Sequence, residues 1–243
     1  MKKNEIRFAL IILLSIVSLM LKAQNNTTEN TALSLKEQRL VAIAASTGKG
    51  DLSTLKTELN GGLEAGLSVN QIKESLIHVY AYAGFPRSLR GLQTFMVIID
   101  ERKAKGINDV VGVEAAPIHD KRSKYERGKA VLEELSGVPE KVEKTGYAAF
   151  APQIEVFLKE HLFADIFERN VLTYKERELL TIAVLSSIGG VEPMLRSHFN
   201  LCLNVGFKPE QLQQFVGVIE KTIGEKEGKS AQVVLDEVLK NKK

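Results

Sequence analysis

The chain has 243 residues, of which 44% are hydrophobic, 26% charged and 6% aromatic, and its formal net charge is +3. This composition is typical of a globular protein with one large or two small domains, and it excludes collagen-like, disulfide-scaffold and wholly disordered chains. Because Cys202 is the single cysteine, the chain can form neither an internal disulfide nor a thiolate-rich zinc site. Long Leu-, Ala-, Lys- and Glu-rich stretches separated by Gly and Pro favour an all-α fold.

The first 23 residues have the layout of a secretory signal peptide. Basic residues precede an apolar run from Phe8 to Leu21, and the small residue Ala23 follows. The run is short for a membrane span, so we expect cleavage after Ala23 and no stable membrane anchor, with an uncleaved anchor as the alternative. The segment predicts an exported protein located in the periplasm.

Removal of this segment changes the charge balance. It carries four basic residues and one acid, so 29 of the 33 Lys and Arg and 29 of the 30 Asp and Glu remain, and the mature chain has no formal net charge. A neutral chain gives no electrostatic reason to bind nucleic acid. We therefore expect no nucleic-acid partner.

The rest of the chain divides into a leader and two helical units. Residues 24–32 are polar and are predicted to be disordered. Helical periodicity runs through residues 33–106, the first unit, in which Gly84 is expected to end a helix. A Gly-, Val- and Pro-containing linker is predicted at residues 107–121. Residues 122–243 form the second unit, which has extra helices at its N-terminal end.

The two units resemble each other in sequence. Residues 172–187 are similar to residues 33–47 at an offset of 139, and residues 195–207 are similar to residues 55–67 at an offset of 140. We infer an internal duplication, with a chance likeness of amphipathic helices as the alternative. The extra helices of the second unit, at residues 122–163 and here called the extra segment, have no counterpart before the first unit. The last helical stretch of the extra segment is predicted to bury one apolar face, made of Ile154, Phe157, Leu158 and Leu162.

Two stretches carry a resemblance to a known family. They are AGLSVNQIKESLIHVYAYAGFPRSLRGL and RELLTIAVLSSIGGVEPMLRSHFNLCLNVGF, one in each unit. Their motifs, YAGFPRS and LxxHxxxxLxxGF, resemble the carboxymuconolactone decarboxylase-like family, which includes the alkylhydroperoxidase D-like proteins. The resemblance extends over residues 33–106 and 148–225. It implies an all-α fold of helical hairpins that pack between subunits, and therefore a homo-oligomer.

His198 matches the histidine of the family motif. Its neighbours one helical turn away are mainly apolar: Met194, Leu195, Leu201 and Cys202. Spacing alone favours a hydrogen-bonded core histidine, whereas the resemblance implies a catalytic acid–base residue. Glu178, on the preceding helix, is a candidate catalytic partner, although its KERE surroundings are also typical of a solvated charge.

The chain departs from one branch of the family. In the thiol-peroxidase branch, two cysteines come seven and four residues before the motif histidine, and here those positions are Val191 and Met194. Thiol-dependent peroxide reduction by that mechanism is disfavoured because no thiolate can form there. Cys202 is expected to be a small core residue.

The first unit has a polar stripe of its own. Glu74, His78 and Tyr82 follow one another at four-residue spacing on one helix face. A Glu–His pair favours the protonated imidazole, which makes His78 a candidate general acid and Tyr82 a candidate substrate contact. Arg87, at the start of the next helix, is suited to bind a substrate carboxylate. An exposed polar face is the alternative interpretation.

The two units have diverged at the motif histidine. Glu58 occupies the position in the first unit that His198 occupies in the second. We therefore predict a composite pocket where His198 meets the region of His78 and Arg87, within one chain or across a subunit interface. Glu192 lies at a helix N-terminus, where the helix dipole favours a carboxylate. A cap is its simplest role, and a substrate contact is the alternative.

Two function classes remain open. The resemblance implies a cofactor-independent lyase similar to 4-carboxymuconolactone decarboxylase, in which histidine moves a proton on a small organic carboxylate. Predicted export argues against ring catabolism, so we expect a different small organic acid as substrate. The alternative is a non-catalytic oligomeric scaffold or binding protein. No metal-binding or cofactor motif occurs in the sequence, so neither a metal nor an organic cofactor is expected.

Overall fold

The computed structural model describes residues 31–241, so the signal peptide predicted at residues 1–23 and most of the leader lie outside the described part. Throughout residues 31–241 the regular elements are helices, which confirms the predicted all-α fold. None of these helices combines the length and the apolar character needed to span a membrane.

The helices follow the duplicated plan. The first unit contains α1 (Leu35–Lys49), α2 (Leu52–Glu64) and α3 (Val69–Ala104). The extra segment contains α4 (Lys124–Ser136), α5 (Gly146–Phe150), α6 (Pro152–Phe157) and a π-helix (Leu158–Phe167). The second unit contains α7 (Tyr174–Ile188), α8 (Glu192–Asn204), α9 (Pro209–Ile223) and α10 (Glu225–Lys240).

Helix α3 consists of two segments that meet at Gly84. This glycine has φ 76° and ψ 168°, a non-helical conformation that a residue with a Cβ adopts only under strain. Gly224 lies at the equivalent point between α9 and α10, with φ 120° and ψ 161°. Outside the extra segment, each unit therefore has the same order of four helical segments, and the predicted duplication is confirmed.

Helices α1 and α7 pack against each other at the centre of the molecule. Residues 40–48 of α1 and residues 177–187 of α7 are buried without interruption, as expected of helices surrounded by other helices. Their close approach depends on small residues, because a Cβ on Gly48 would lie 2.2 Å from Ser187 Oγ. Helix α3 packs on α7 and α9 packs on α1, so each unit completes the core of the other.

The extra segment adds a second apolar cluster beside α3. Its buried residues are Val131, Leu135, Leu162, Phe163, Ile166 and Phe167. The apolar face predicted for this segment is only partly right, because Ile154 and Phe157 are exposed. The π-helix that begins at Leu158 has a wider turn than an α-helix, which changes the positions that face inward.

The predicted linker at residues 107–121 has no regular secondary structure but is bonded to the first unit. The backbone N–H groups of Val69 and Asn70, in the first turn of α3, donate to the carbonyls of Val110 and Val111, both at 2.9 Å. Helix N-termini leave such donors without an intrahelical partner. The linker therefore stabilises the start of the helix that carries His78 and Tyr82.

Candidate active site

His198 and Glu178 form a hydrogen-bonded pair on neighbouring helices. His198 lies on α8 and Glu178 on α7, and His198 Nδ1 is 2.7 Å from Glu178 Oε2. The Glu178 side chain is fully buried, whereas that of His198 is 14% exposed. Because the carboxylate accepts from Nδ1–H, the pair favours the tautomer whose Nε2 carries a free lone pair. The structure thus places Glu178 beside His198 and not in solvent.

The second carboxylate oxygen of Glu178 lacks a partner among the described residues. Oε1 is inaccessible to solvent, and no donor of the described chain reaches it. A buried acceptor left unpaired costs about 1–3 kcal/mol. Glu178 thus bears this cost beside the hydrogen bond that it makes with His198.

The first unit supplies Tyr82 and His78 to the same region. The Tyr82 and His198 rings meet edge to face, with their centroids 5.9 Å apart. His78 Nε2 lies 2.9 Å from Thr181 Oγ1, and Tyr82 Oη lies 3.0 Å from the same oxygen. The structure therefore brings His198, His78 and Tyr82 together within one chain, at the contact between α3 and α7.

A buried ion-pair network lies beside His78. The Glu74 carboxylate accepts from Arg177 Nη2 at 2.8 Å, and from Arg169 Nε and Nη2 at 2.8 and 3.0 Å. The Arg177 side chain is fully buried, and that of Glu74 is 2% exposed. Arg177 Nη1 also lies 3.4 Å from His78 Nδ1. Because a guanidinium only donates, His78 Nδ1 is the acceptor and the ring proton is on Nε2.

The predicted Glu74–His78 pair does not form. Arg169 and Arg177 hold the Glu74 carboxylate instead. Burial, together with the charge of Arg177, lowers the pKa of His78 well below its ordinary value of 6.5. His78 is therefore neutral at physiological pH and lacks the proton that the predicted role of general acid requires.

The lowered pKa of His78 predicts a pH-dependent stability. Below about pH 6.5 the unfolded chain takes up a proton on this histidine while the folded chain does not, so acid favours unfolding. The stability from this source is complete above about pH 6.5 and is lost as the pH falls toward the folded-state pKa. We expect the free energy of unfolding of the wild type to fall more steeply than that of His78→Gln, by up to about 1.4 kcal/mol per pH unit.

Urea denaturation of both proteins between about pH 7.5 and 5.5 measures this difference in slope. Any constant loss of stability caused by the substitution cancels in that comparison. Equal slopes in the two proteins would contradict the buried neutral state of His78.

Arg87 lies apart from the His198 cluster. It lines a pocket of about 190 Å³ between the C-terminal end of α1, the start of α2 and the second segment of α3. The other lining residues are Thr47, Gly50, Leu52, Leu55, Pro86 and Arg90. Among the described residues, none of these lining residues has a hydrogen bond, an ion pair or a ring contact with His198. The structure thus gives no support for Arg87 as the carboxylate contact beside His198.

The remaining residues singled out from the sequence lie on α8 or directly before it. Glu192 is exposed and accepts from the backbone N–H of Gly190 at 3.3 Å, so it acts locally in the loop. Val191 and Met194 stand at the two positions where the thiol branch has cysteines. Cys202 is buried, and burial raises the pKa of its thiol well above the ordinary value.

Within residues 31–241 no group of three or more potential ligands is arranged to hold a metal ion.

The first unit holds a different pair at the equivalent positions. Glu58 aligns with His198 and Arg39 aligns with Glu178. Arg39 Nη1 lies 2.6 Å from Glu58 Oε2. The contact between the two helices is preserved as an ion pair, but an arginine stays protonated at every physiological pH. The imidazole chemistry of the second unit has no equivalent at this place in the first.

Sequence reasoning missed Arg169, Arg177 and Thr181, which hold Glu74 and His78. The KERE stretch that contains Arg177 resembles a solvated first turn. One available signal was the run of apolar and small residues that follows, LLTIAVLSS, because a helix with such a run is buried on all sides. That burial extends back to Arg177 and Glu178.

Comparison with known proteins identifies the family. The family model described as Carboxymuconolactone decarboxylase family matches residues 16–95 and 152–233. The first match contains His78 and Tyr82, and the second contains Glu178 and His198. A search of the curated proteins found no match. Because the two matched ranges span more than half of the sequence, the chain belongs to the carboxymuconolactone decarboxylase family, as a member with two tandem units.

Proposed function

We propose that the protein is a cofactor-independent lyase, or a closely related proton-transfer enzyme, that acts on a small organic carboxylate with His198 as the acid–base residue. The observation that carries the proposal is the 2.7 Å bond between His198 Nδ1 and the buried Glu178 carboxylate. This bond orients the imidazole and leaves Nε2 available for proton transfer. Glu178 would also stabilise the imidazolium that forms when Nε2 takes up a proton.

Thiol chemistry is a less suitable proposal for this site. Val191 and Met194 cannot form thiolates, and the raised pKa of buried Cys202 keeps its sulfur protonated and poorly nucleophilic. Family membership by itself supports the fold and not a particular reaction. Acid–base chemistry at His198 is what the side chains at the site support.

A homo-oligomer and export to the periplasm complete the proposal. The case for export is the signal-peptide layout of residues 1–23. The second segment of α3 exposes Phe85, Leu89 and Met96, by 61%, 53% and 66%. These residues share one face of the helix, and an apolar face of this kind favours a subunit interface. The same observation favours the alternative of a non-catalytic scaffold, which differs from the enzyme by the absence of turnover.

A substrate screen tests the proposal. We would incubate the purified chain with small organic acids in deuterated water and measure CO₂ release and deuterium incorporation at carbon. We expect at least one acid to be turned over by the wild type and its turnover to fall about 10²- to 10⁴-fold in His198→Gln. Circular dichroism tests whether the variant is folded, and the matched control is His119→Gln, in the linker, which is expected to keep activity.

Two outcomes would contradict the proposal. Turnover that persists in His198→Gln would remove the histidine from the mechanism. A screen in which the wild type turns over none of the acids would favour the non-catalytic scaffold.

A further inference from the structure

We propose that the pocket beside Arg87 and Arg90 is a second binding site, for a small monocarboxylate with an apolar body such as an aromatic ring. The pocket lies between the C-terminal end of α1, the start of α2 and the second segment of α3, and its volume is about 190 Å³. The inference goes beyond the proposed function, because the pocket shares no lining residue with the His198 cluster.

The walls of the pocket are mainly apolar. Leu52, Leu55 and Pro86 supply aliphatic carbon, and within the described chain no acidic residue lines the pocket. A cavity of about 150 Å³ with apolar walls binds benzene. A pocket of about 190 Å³ therefore has room for a six-membered ring and a carboxylate. Contact of the ring with these side chains removes apolar surface from water, which favours binding.

The two arginines at this pocket lack a carboxylate partner among the described residues. Every other arginine in the described part of the chain forms an ion pair with Asp or Glu. The Arg87 guanidinium has no hydrogen bond to any described residue, whereas Arg90 donates to the neutral amide of Gln93 at 3.2 Å. Because Arg87 and Arg90 are three residues apart on one helix, their like charges repel. A carboxylate held between them would remove this repulsion and accept from the guanidinium N–H groups.

Gly50 allows the Arg87 guanidinium to lie against the end of α1. A Cβ at Gly50 would lie 1.5 Å from Arg87 Nη1, so a larger residue there would displace the guanidinium. Gly50 caps the C-terminal end of α1 with φ 79°, in the left-handed region that favours glycine. This end of a helix carries a partial negative charge that attracts a cation. The guanidinium is therefore held beside the pocket without a hydrogen-bond acceptor among the described residues.

The pocket is distinct from the features described above. The break at Gly224 aligns the second unit with the first, and Glu227 then stands at the position of Arg87. Glu227 forms an ion pair with Lys49, so the two unpaired cations are a feature of the first unit. Arg87 is about 200° around α3 from the exposed Phe85. The pocket is thus on the side of the helix opposite the face proposed as a subunit interface.

Titration of the full ¹⁵N-labelled chain with benzoate, followed by NMR, tests this inference. We expect benzoate to shift the backbone amide signals of Gly50 and Leu52, and Arg87→Gln to weaken this binding at least about tenfold, the effect of one hydrogen bond between charged groups. Benzamide has the same ring without the charge, and inorganic phosphate has charge without the ring. Both are expected to bind at least about tenfold more weakly than benzoate.

Two further variants locate the site. Arg122→Gln removes an exposed arginine that pairs with Asp120, and this matched control is expected to bind benzoate like the wild type. His198→Gln is also expected to bind like the wild type, which separates this pocket from the proposed function. The inference is overturned if benzoate leaves the Gly50 and Leu52 signals unchanged, if Arg87→Gln binds it like the wild type, or if benzamide or phosphate binds as tightly.

Discussion

Replacement of Glu74 with Leu is expected to lower the free energy of unfolding by about 3–5 kcal/mol. Glu74 is shared by Arg169 and Arg177, and the Arg177 side chain is fully buried. Without the carboxylate, the Arg177 guanidinium stays in the core as an uncompensated charge, which is among the most destabilising changes that a single substitution can make. Urea denaturation at pH 7.5 measures the loss.

The matched control is Glu101→Leu, on the exposed face of the same helix. Its effect is expected to stay within about 0.5 kcal/mol. The double variant Glu74→Leu/Arg177→Met removes both charges and is expected to recover much of the lost stability, because an apolar pair of similar volume replaces a buried ion pair at little cost. Equal effects of Glu74→Leu and Glu101→Leu would show that the network does not stabilise the fold.

Replacement of Glu178 with Gln is expected to lower kcat about 10²- to 10⁴-fold for an acid that the wild type turns over. Glutamine has the size of glutamate and can still accept from His198 Nδ1. It lacks the negative charge that stabilises the imidazolium and favours the productive tautomer. The loss is therefore expected in kcat, with KM little changed.

Steady-state kinetics on the folded variant gives this result. Glu210→Gln, exposed on α9, is the matched control and is expected to keep full activity. A Glu178→Gln variant with the kcat of the wild type would remove the carboxylate from the mechanism. An increase in KM alone would assign Glu178 to binding and not to proton transfer.

The sequence predicted most of the fold because its signals are local. The helical periodicity and the break at Gly84 depend on neighbouring residues. The duplication was visible because the two copies keep the same order of apolar residues and glycines. The π-helix at residues 158–167 was missed, since the apolar spacing of that segment fits an ordinary α-helix over its first turns.

The candidate site was only partly predictable because it is formed by contacts that are distant in sequence. The motif indicated His198, and the preceding helix offered Glu178. The stripe of Glu74, His78 and Tyr82 was recognised, but its spacing suggested a Glu–His pair. Arginines about one hundred residues away in the sequence, at positions 169 and 177, hold Glu74 instead. Which charges share a buried pocket depends on the packing of α3 against α7, and no local pattern encodes that contact.

The central claim is that a buried carboxylate fixes His198 in the tautomer with a free Nε2. Nitrogen NMR of the full chain with ¹⁵N-labelled histidine tests it most directly, with His198→Gln identifying the resonance. At pH 7.5 the account predicts a proton on Nδ1 and none on Nε2, and it predicts that Glu178→Gln weakens this preference. A His198 ring that exchanges freely between tautomers, or that carries its proton on Nε2, would contradict the account.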